Sequence, residues 1–447
     1  MKSVYVKELK HYSRSYLENL LSNNEKLLNK LLEYDIVRFN DNSYQFNYVG
    51  VIILENTVIS CYPKYIKNEK NIERDFKQTL QVIKKYRSNE SFRYENDELE
   101  DVSFNLLSVM IFFIEDYYEN GVYSKIHNIL ETNGSGEINW DKTINDNFPI
   151  IKDSTPYYTE LQTKCKINDL TDYFRLLHEY IITQCSKHLE KAGLLDLFNL
   201  TPADLNDLKL EDFGEIEAIL NKLTKELNIE FNTHKQKLLK SMHTYLSQNN
   251  SFTSENYLTI YGTSSYHVIW EEICCKVIGD KLHKHLKNLK LPCKLNNKYN
   301  PNDELIAIIE NPKWILNEGK IYTGKGTFIH DLVTFYDDNF IILDAKYYDI
   351  KFNENELSGQ PELSSITKQF LYELAFKEFI ELHKFKSVKN GFLFPSCDLD
   401  VTNKGCVDLK ILSDLGLENI RVIMLPALKM NQLYLDNKKM DIEMLKL

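Results

Sequence analysis

Two aspartates and a lysine lie near the C-terminal third of the chain, within the stretch IHDLVTFYDDNFIILDAKYY (329–348). Asp344 and Lys346 are two residues apart, and Asp331 precedes Asp344 on what is predicted as the neighbouring strand. Carboxylate oxygens are ligands for Mg²⁺, and a bound cation polarises a phosphodiester and activates water. The lysine can orient or deprotonate that water, or stabilise charge on the phosphate. The three residue types therefore indicate hydrolysis of phosphodiesters.

Strand geometry brings these side chains to one face. Side chains alternate along a strand, so Asp344 and Lys346 point the same way. A two-residue turn at Asp338 and Asn339 places Asp331 opposite Lys346. Asp331 then lies one diagonal step from Asp344, within about 8 Å. The alternative is an exposed hairpin in which an aspartate and the lysine form a cross-strand salt bridge.

A helix before these strands offers a third carboxylate. In YHVIWEEICCKVI (266–278), apolar residues form one stripe at helical spacing. Glu271 borders that stripe, whereas Glu272 points nearly opposite, so Glu271 is expected to face the cleft and Glu272 the solvent. The alternative is that Glu271 is a carboxylate at the edge of the core with no role.

The composition is that of a globular protein with more than one core. The chain has 447 residues, of which 43% are hydrophobic, and a formal net charge of −11. Single domains rarely exceed about 250 residues, so two or three cores are expected. An acidic total argues against a general nucleic-acid coat, but it allows DNA binding through one local patch and a metal site built from carboxylates.

The sequence shows no pattern typical of a signal peptide, a membrane span or a redox-active cysteine pair. The opening MKSVYVKELKHYS is followed by no apolar segment typical of a signal peptide. The longest apolar run, at 106–114, is shorter than the about 20 residues that span a bilayer. None of the eight cysteines forms a CxxC pair. We expect a cytoplasmic protein with reduced thiols and no membrane partner.

The order of predicted elements gives a multidomain α+β and α/β fold in three parts. Residues 1–150 form a small α+β domain in which two short helices precede a hairpin, a winged-helix-like order. Residues 151–250 form a helical middle region. Residues 251–447 form an α/β domain with a helix at 266–286, strands at about 328–336 and 340–348, a helix at 364–384, and further strands near 390–395 and 420–425.

Several segments resemble a known family. Asp331 followed by Asp344-Ala345-Lys346 resembles the PD-(D/E)XK nuclease motif, with His330 where that family often has proline. YGTSSYHVIWEEIC (261–274), the 330–348 stretch and SSITKQFLYELAF (364–376) resemble LlaJI-type restriction endonuclease subunits, relatives of the McrC family. Segments 48–66, which contains the pair Pro63-Lys64, and 131–144 also resemble that family.

The resemblance implies a role for each site residue within a PD-(D/E)XK restriction-endonuclease-like core. Asp331, Asp344 and Glu271 correspond to metal ligands for Mg²⁺, and Lys346 to the catalytic lysine. Gln369 corresponds to the motif residue on the following helix, facing the DNA backbone or a metal-bound water. For Gln369 the alternative is ordinary helix packing.

The resemblance also implies partners. The family supplies the nuclease subunit of a GTP-dependent restriction system, acts on DNA, and stimulates a McrB-like AAA+ GTPase through its N-terminal domain. GTP is then bound by the partner and not by this chain. A P-loop pattern is almost complete in GKIYTGKGT (319–327), but Gly326 occupies the position that requires Ser or Thr. Two alternatives stay open: a nuclease acting alone, and a non-catalytic assembly or GTPase-activating subunit.

Overall fold

The structure is a computed structural model of the full chain. It describes all residues except 23, 55–56, 68, 92–105, 169–170, 249–257 and 354–355. The expected boundary between residues 250 and 251 therefore lies outside the described residues. No helix in the part of the chain that is described is long and apolar enough to cross a membrane.

The secondary structure alternates short strands with helices of very different lengths. The strands are β1 (Lys2–Lys7), β2 (His11–Tyr12), β3 (Val37–Asn40), β4 (Ser43–Phe46), β5 (Val49–Leu54), β6 (Thr57–Tyr62), β7 (Ile126–Thr132), β8 (Glu137–Ile138), β9 (Ile150–Lys152), β10 (Thr155–Tyr157), β11 (Gln162–Asn168), β12 (Leu258–Thr263), β13 (Lys313–Ile315), β14 (Ile321–Thr323), β15 (Leu332–Tyr336), β16 (Asn339–Ala345), β17 (Lys351–Asn353), β18 (Glu356–Ser358), β19 (Ser387–Ser396), β20 (Thr402–Val407) and β21 (Ile420–Pro426). The helices are α1 (Arg14–Leu20), α2 (Glu25–Glu33), α3 (Ile72–Ser91), α4 (Leu106–Asn120), α5 (Trp140–Asp146), α6 (Tyr173–Lys191), α7 (Leu194–Leu197), α8 (Ile216–Ile229), α9 (Thr233–Ser247), α10 (Tyr266–Cys274), α11 (Leu363–Leu382), α12 (Lys410–Ser413) and α13 (Ala427–Leu435).

The chain divides into two compact units. The first contains residues 1–3, 52–58 and 99–261, and the second contains residues 4–51, 59–98 and 262–447. A four-stranded sheet has the order β1-β6-β5-β12. The division into two units differs from the three segments 1–150, 151–250 and 251–447, whose assignment as separate domains stays a prediction.

The first unit has a helical core built around α4, α6, α8 and α9. Phe113 of α4 packs against His178 of α6 and Tyr245 of α9, with ring centroids 5.6 and 6.2 Å away. Nδ1 of His178 accepts a hydrogen bond from the Tyr123 N–H at 3.0 Å, so that nitrogen carries no proton. A small sheet ordered β7-β11-β8 belongs to the same unit.

The N-terminal elements of the second unit follow the expected order. Helices α1 and α2 are separate, and Asn24 caps α2 by accepting from the Lys26 and Leu27 N–H groups. The β3–β4 hairpin comes next and joins β2 in a three-stranded sheet. The predicted order of two short helices and a hairpin is thus confirmed, whereas the winged-helix assignment stays a prediction.

The C-terminal part of the second unit contains a five-stranded sheet in the order β15-β16-β19-β21-β20. The β16–β19 and β19–β21 pairs are parallel, and the two outer pairs are antiparallel. Parallel neighbours need a long crossover, which α11 supplies between β16 and β19. Nearly every residue of β16 and most residues of β19 are buried, as expected for strands covered on both faces.

Helix α11 covers one face of this sheet. Phe376 and Phe379 of α11 pack with Phe340 and Ile342 of β16 in one apolar cluster. Farther along the sheet, Phe370 of α11 packs in a second cluster that contains residues of β19 and β21. The strands and helix expected between 328 and 425 are confirmed, with ends shifted by a few residues.

The helix expected at 266–286 is shorter than its apolar pattern indicates. Its α-helical part ends at Cys274, and a π-helical turn continues from Cys275 to Gly279. Gly279 has φ of +90°, a left-handed conformation that ends the helix and that glycine adopts without strain. The predicted extension to residue 286 is wrong, and that part of the chain forms turns and a bridge between His285 and Glu304.

Candidate active site

The β15–β16 hairpin sets the position of both aspartates, and its register differs from the predicted one. The turn residues are Asp337 and Asp338, both with left-handed φ (+46° and +60°), as in a type I′ turn. Asn339 is already in β16, where its amide accepts from the Ser387 hydroxyl at 2.7 Å. The predicted turn at Asp338 and Asn339 is therefore wrong.

The corrected register brings the two aspartates closer than predicted. Val333 pairs with Ile342 and not with Asp344, a shift of two residues. A two-residue shift preserves the faces of the strands, so Asp331 and Asp344 still point the same way. Continuing the ladder by one residue places Asp331 opposite Asp344, and Oδ2 of Asp331 accepts from the Ala345 N–H at 2.8 Å.

The two carboxyl groups form a coupled pair in a buried setting. Asp344 is only 5% exposed. Burial raises the pKa of Asp331, and the neighbouring Asp344 and Glu271 raise it further, including through a direct interaction between the two aspartate side chains. Two carboxylates this close cannot both stay ionised without a compensating cation. The pair therefore holds a proton or attracts a positive ion at neutral pH.

Lys346 supplies one positive charge. Its Nζ lies 2.5 Å from Oδ2 of Asp344, and its side chain is 20% exposed. Burial opposes the charged form, but Asp344 outweighs it and raises the pKa of Lys346. Lys346 is therefore an ammonium ion at neutral pH, which favours stabilisation of negative charge over removal of a proton from water.

Glu271 lies on α10 and faces the aspartates. Burial raises its pKa, Asp344 raises it further and Lys346 lowers it, which places its carboxylate within electrostatic reach of both. Trp270 fixes the helix by donating from Nε1 to the Leu393 carbonyl of β19 at 3.2 Å. Glu272 is paired with Lys276 at 3.7 Å, as expected for the more outward glutamate.

Gln369 is near the same strand but is fully buried. Its Nε2 donates to Oδ1 of Asn390 at 2.7 Å and toward the carbonyl of Ile342 at 3.4 Å. Neither of these two hydrogen bonds reaches Asp331 or Asp344. Gln369 instead links α11 to β16 and β19, which supports the packing alternative.

Tyr372 and His330 close one side of the site. The Tyr372 hydroxyl donates to the Ile329 carbonyl at 2.8 Å, and burial with Asp344 and Asp331 raises the pKa of Tyr372 to about 12. His330 stacks on Tyr372 with ring centroids 3.9 Å apart. Burial lowers the pKa of His330 to about 3, so the imidazole is neutral.

A buried polar network that the sequence did not reveal lies directly behind Lys346. The Tyr347 hydroxyl donates to Oε2 of Glu8 at 2.5 Å, and the same oxygen accepts the Lys64 N–H at 3.0 Å. The Lys64 ammonium sits over the Tyr347 ring, 4.1 Å from its centroid. Tyr347 also contacts Tyr266, the first residue of α10. These contacts connect the segment after β1 to the end of β16, which carries Asp344, and to α10, which carries Glu271.

The carboxyl pair fits part of a magnesium site. Mg²⁺ is usually held by one or two carboxylates and keeps several waters. Asp331 and Asp344 provide two such groups. Among the described residues, however, no three His, Cys, Asp or Glu side chains are grouped closely enough to hold an ion by themselves. Glu271 is therefore near the pair without completing a ligand set.

The near-P-loop at 319–327 has no nucleotide-binding context. Its first part is the β13–β14 hairpin, with Gly319 at φ of +79° in the connecting turn. The residues after Gly324 run without a helix into the segment that precedes β15. A P-loop requires a helix whose N-terminus faces the phosphates, and this segment has none.

The alternative of an exposed salt-bridged hairpin is wrong. Strand β16 lies between β15 and β19, and Asp344 at its end is buried. Lys346, which directly follows β16, pairs with Asp344 of that strand and not across the hairpin with Asp331. What remains at the strand end is a buried pair of acids, one ammonium ion and a third acid on α10. Such a set can bind a cation and stabilise charge on a phosphate.

Comparison with known proteins gives one family match. Residues 48–431 match the model of a family described as LlaJI restriction endonuclease. A Bacillus subtilis (strain 168) protein named Type II restriction enzyme BsuMI component YdjA is 28% identical over 451 aligned positions, which cover 95% of this chain and 90% of that protein.

Two solved assemblies from Thermococcus gammatolerans are more distant. A chain of a half-complex of McrB AAA+ hexamers with bound McrC has a TM-score of 0.39 and 10% identity, covering 98% of this chain and 100% of that one. A chain of the McrBC complex has a TM-score of 0.24 and 9% identity, covering 55% and 79%.

Proposed function

The chain belongs to the LlaJI restriction endonuclease family, and on that premise we propose that it is the nuclease subunit of a restriction system. Its reaction is the Mg²⁺-dependent hydrolysis of DNA phosphodiester bonds by a PD-(D/E)XK site. The residues of that site are Asp331, Asp344, Lys346 and Glu271.

One observation carries this proposal: Asp331 and Asp344 are held together, buried, with raised pKa for Asp331. Lys346 can neutralise only one of the two carboxylates. Strongly perturbed acids that converge at the end of a buried strand are typical of functional sites, because a fold gains no stability from them. A divalent cation would compensate the negative charge of the carboxylates that Lys346 does not neutralise.

Each residue has a distinct task in this reaction. Asp331 and Asp344 would hold Mg²⁺, which supplies polarisation of the phosphodiester and of the attacking water. Lys346, charged and partly exposed, stabilises the negative charge that develops on the phosphate. Glu271 adds negative potential from α10, which attracts positive charge to the pair. Gln369 positions β16 through Ile342 and Asn390.

The same proposal includes partners. The Bacillus subtilis relative is by its name a component of a restriction enzyme, which supports an assembly of several subunits. We assign an AAA+ GTPase of the McrB type as the second subunit, with GTP bound there and its hydrolysis stimulated by the N-terminal elements of this chain. The net charge of −11 agrees with delivery to DNA by a partner, since strong nonspecific affinity needs a basic surface.

The test is a cleavage assay on plasmid DNA with the purified chain, a McrB-like AAA+ protein, GTP and Mg²⁺. Asp344→Asn and Lys346→Gln should each lower the rate by at least roughly 10²-fold, as removal of a charge-stabilising group does. Asp337→Asn is the control, because this aspartate lies in the turn of the same hairpin and its side chain is 74% exposed.

Three results separate the alternatives. Cleavage that needs Mg²⁺ but neither partner nor GTP identifies a nuclease that acts alone. Stimulation of GTP hydrolysis without any cleavage, equal in wild type and Asp344→Asn, identifies a non-catalytic assembly subunit. Undiminished cleavage by Asp344→Asn rules out the assigned site.

A further inference from the structure

A basic cavity of about 710 Å³ lies in the second unit, beside the strand end that carries Lys346. Its walls come from residues 7–11, from residues between 62 and 72, and from residues between 348 and 359. The last group begins only two positions after Lys346. The cavity therefore combines N-terminal segments with the loop that leaves the candidate active site.

The lining carries far more positive than negative charge. Its lysines are Lys7, Lys10, Lys64, Lys67 and Lys351, and its acids are Glu8 and Asp349. With His11 neutral the lining has a net charge of +3, in a chain whose total is −11. A local excess of this sign in an acidic protein attracts anions to one place.

The lysines converge on one another. Asp349 lies between two of them, 3.3 Å from Nζ of Lys67 and 3.5 Å from Nζ of Lys351. The positive charges of Lys10, Lys67 and Lys351 all contribute to lowering the pKa of Lys7, after its burial. Holding like charges together costs free energy in the empty protein, and an anionic ligand removes that cost.

Buried groups fix one wall of the cavity. Glu8 is 8% exposed and is bonded by the Tyr347 hydroxyl and the Lys64 N–H. Tyr347 follows Lys346 directly, so the wall and the catalytic strand end share a backbone segment. The position of the Lys64 ammonium over Tyr347 is thereby set relative to the carboxyl pair.

We propose that this cavity binds phosphates of the DNA backbone next to the one that is hydrolysed. The proposal rests on the proposed nuclease function. Successive phosphates of one strand follow each other at about 3.4 Å along the duplex axis. A strand with one phosphate at Asp344 and Lys346 must therefore pass its next phosphates over the adjoining surface. The N-terminal segments 7–11 and 62–67 then contact substrate, in addition to any role toward the GTPase partner.

Binding can be measured without cleavage. A fluorescently labelled DNA duplex is titrated with the full chain in EDTA, at several salt concentrations from about 50 to 200 mM. The test variant carries Lys10→Gln, Lys67→Gln and Lys351→Gln, three exposed lysines of the cavity. The control carries Lys290→Gln, Lys404→Gln and Lys410→Gln, three exposed lysines that do not line it.

Each lysine that contacts a phosphate adds about 0.9 to the slope of log K against log salt. The cavity variant should therefore lose roughly 2 to 3 from that slope and bind at least roughly tenfold more weakly at low salt. The control variant should keep the wild-type slope. Thermal unfolding of both variants checks that they are folded.

Three outcomes overturn the assignment. One is that wild type and cavity variant have equal affinity and slope. The second is that the control loses as much as the cavity variant, which means a general charge effect. The third is that wild type shows no DNA binding at low salt.

Free phosphate compounds are the competing ligands. Labelled GTP and inorganic phosphate are titrated with the same proteins. Loss of GTP binding in the cavity variant, with DNA binding unchanged, makes the cavity a nucleotide site and contradicts the proposal. Failure of the proposed nuclease function looks different: wild type then cleaves no DNA, or Asp344→Asn cleaves it as fast as wild type, while the binding results for the cavity are read separately.

Discussion

Replacing Asp331 by asparagine should stabilise the metal-free protein while it abolishes cleavage. Burial and the nearby acids Asp344 and Glu271 raise the pKa of Asp331, which shows that its ionised form is unfavourable in the folded chain. The Asp331→Asn substitution removes that charge. It also keeps a side-chain oxygen for the Ala345 N–H, which now donates to Asp331 at 2.8 Å.

The size of the effect follows from the repulsion it removes. Two unit charges about 4 Å apart repel by ~4 kcal/mol at an effective dielectric constant of about 20. Uptake of a proton by the pair relieves part of this repulsion. Lys346, 2.5 Å from Asp344, offsets another part. We expect the free energy of unfolding in EDTA at pH 7 to rise by about 1 to 3 kcal/mol.

The direction of the pH dependence is fixed by linkage. Unfolded Asp331 loses its proton near a pH of about 3.9, whereas the folded form keeps it to higher pH because its pKa is raised. The folded state then binds more protons, so the stability of the metal-free wild type falls as pH rises above about 3.9, up to the folded-state pKa. The asparagine of the variant does not titrate, and its advantage over wild type should grow across that range.

The assay is thermal unfolding in EDTA between pH 5 and pH 8, repeated with Mg²⁺. One kcal/mol corresponds to about 2–4 °C in a domain of 150–250 residues, so a shift of about 2–12 °C is expected. A ligand at 100 times its Kd that binds only the folded state adds ~2.7 kcal/mol. Mg²⁺ should therefore stabilise wild type and leave Asp331→Asn almost unchanged. Asp337→Asn, in the exposed turn, is the matched control.

The reasoning is refuted if, in EDTA at pH 8, Asp331→Asn has a lower melting temperature than wild type while Asp337→Asn has the same melting temperature as wild type. That result means that hydrogen bonds to the carboxylate outweigh its repulsion. Equal stabilisation of wild type and Asp331→Asn by Mg²⁺ is a separate failure, because it removes Asp331 from the metal site without affecting the argument about charge.

Three further substitutions test other contacts. His330→Phe should raise the free energy of unfolding by about 1 kcal/mol in urea titrations, because both ring nitrogens are buried without hydrogen bonds among the described residues and the ring only stacks on its aromatic neighbours; a loss of stability contradicts this. Burial lowers the pKa of His178 to about 3, so the folded protein keeps this imidazole neutral while the unfolded chain protonates it below about pH 6.5. The free energy of unfolding therefore falls with pH, by ~2.7 kcal/mol at pH 4.5. His178→Gln should flatten urea stability between these pH values, and an unchanged slope excludes His178 as the cause. Tyr347→Phe should lower the melting temperature by the equivalent of about 1–3 kcal/mol, since Glu8 loses one of its donors, whereas Tyr348→Phe, at a more exposed position, should not.

Alternation along a strand was sufficient to place Asp331 and Asp344 on one face, but not to fix their distance. The hairpin could turn at either of two residue pairs, and both keep the same faces together. The choice depends on Asn339, which pairs with Ser387 from a strand 48 residues later. A local pattern contains no information about such a contact.

Long-range contacts also explain the residues that sequence reasoning missed. Glu8 lies 339 residues from Tyr347, and nothing near position 8 distinguishes it from an exposed glutamate. Gln369 is the reverse case, a motif position whose amide is used inside the fold by Asn390 and Ile342. The apolar stripe of α10 was sufficient to place Glu271 on the side of Asp344, because helical periodicity is local.

The arrangement of charges distinguishes a structural ion pair from a site. Asp344 and Lys346 alone would form a compensated pair at the end of β16. Asp331 adds a second acid that has no lysine of its own, and Glu271 adds negative potential from a separate helix. The carboxyl groups of Asp331 and Glu271 both destabilise the metal-free fold. Helix α10 is nevertheless anchored to β19 by Trp270, in a position that keeps Glu271 near the pair. Such a strand end holds either a proton or a cation, and this excess of acids, more than the aspartate–lysine pair, is the physical basis of the proposed metal-dependent nuclease.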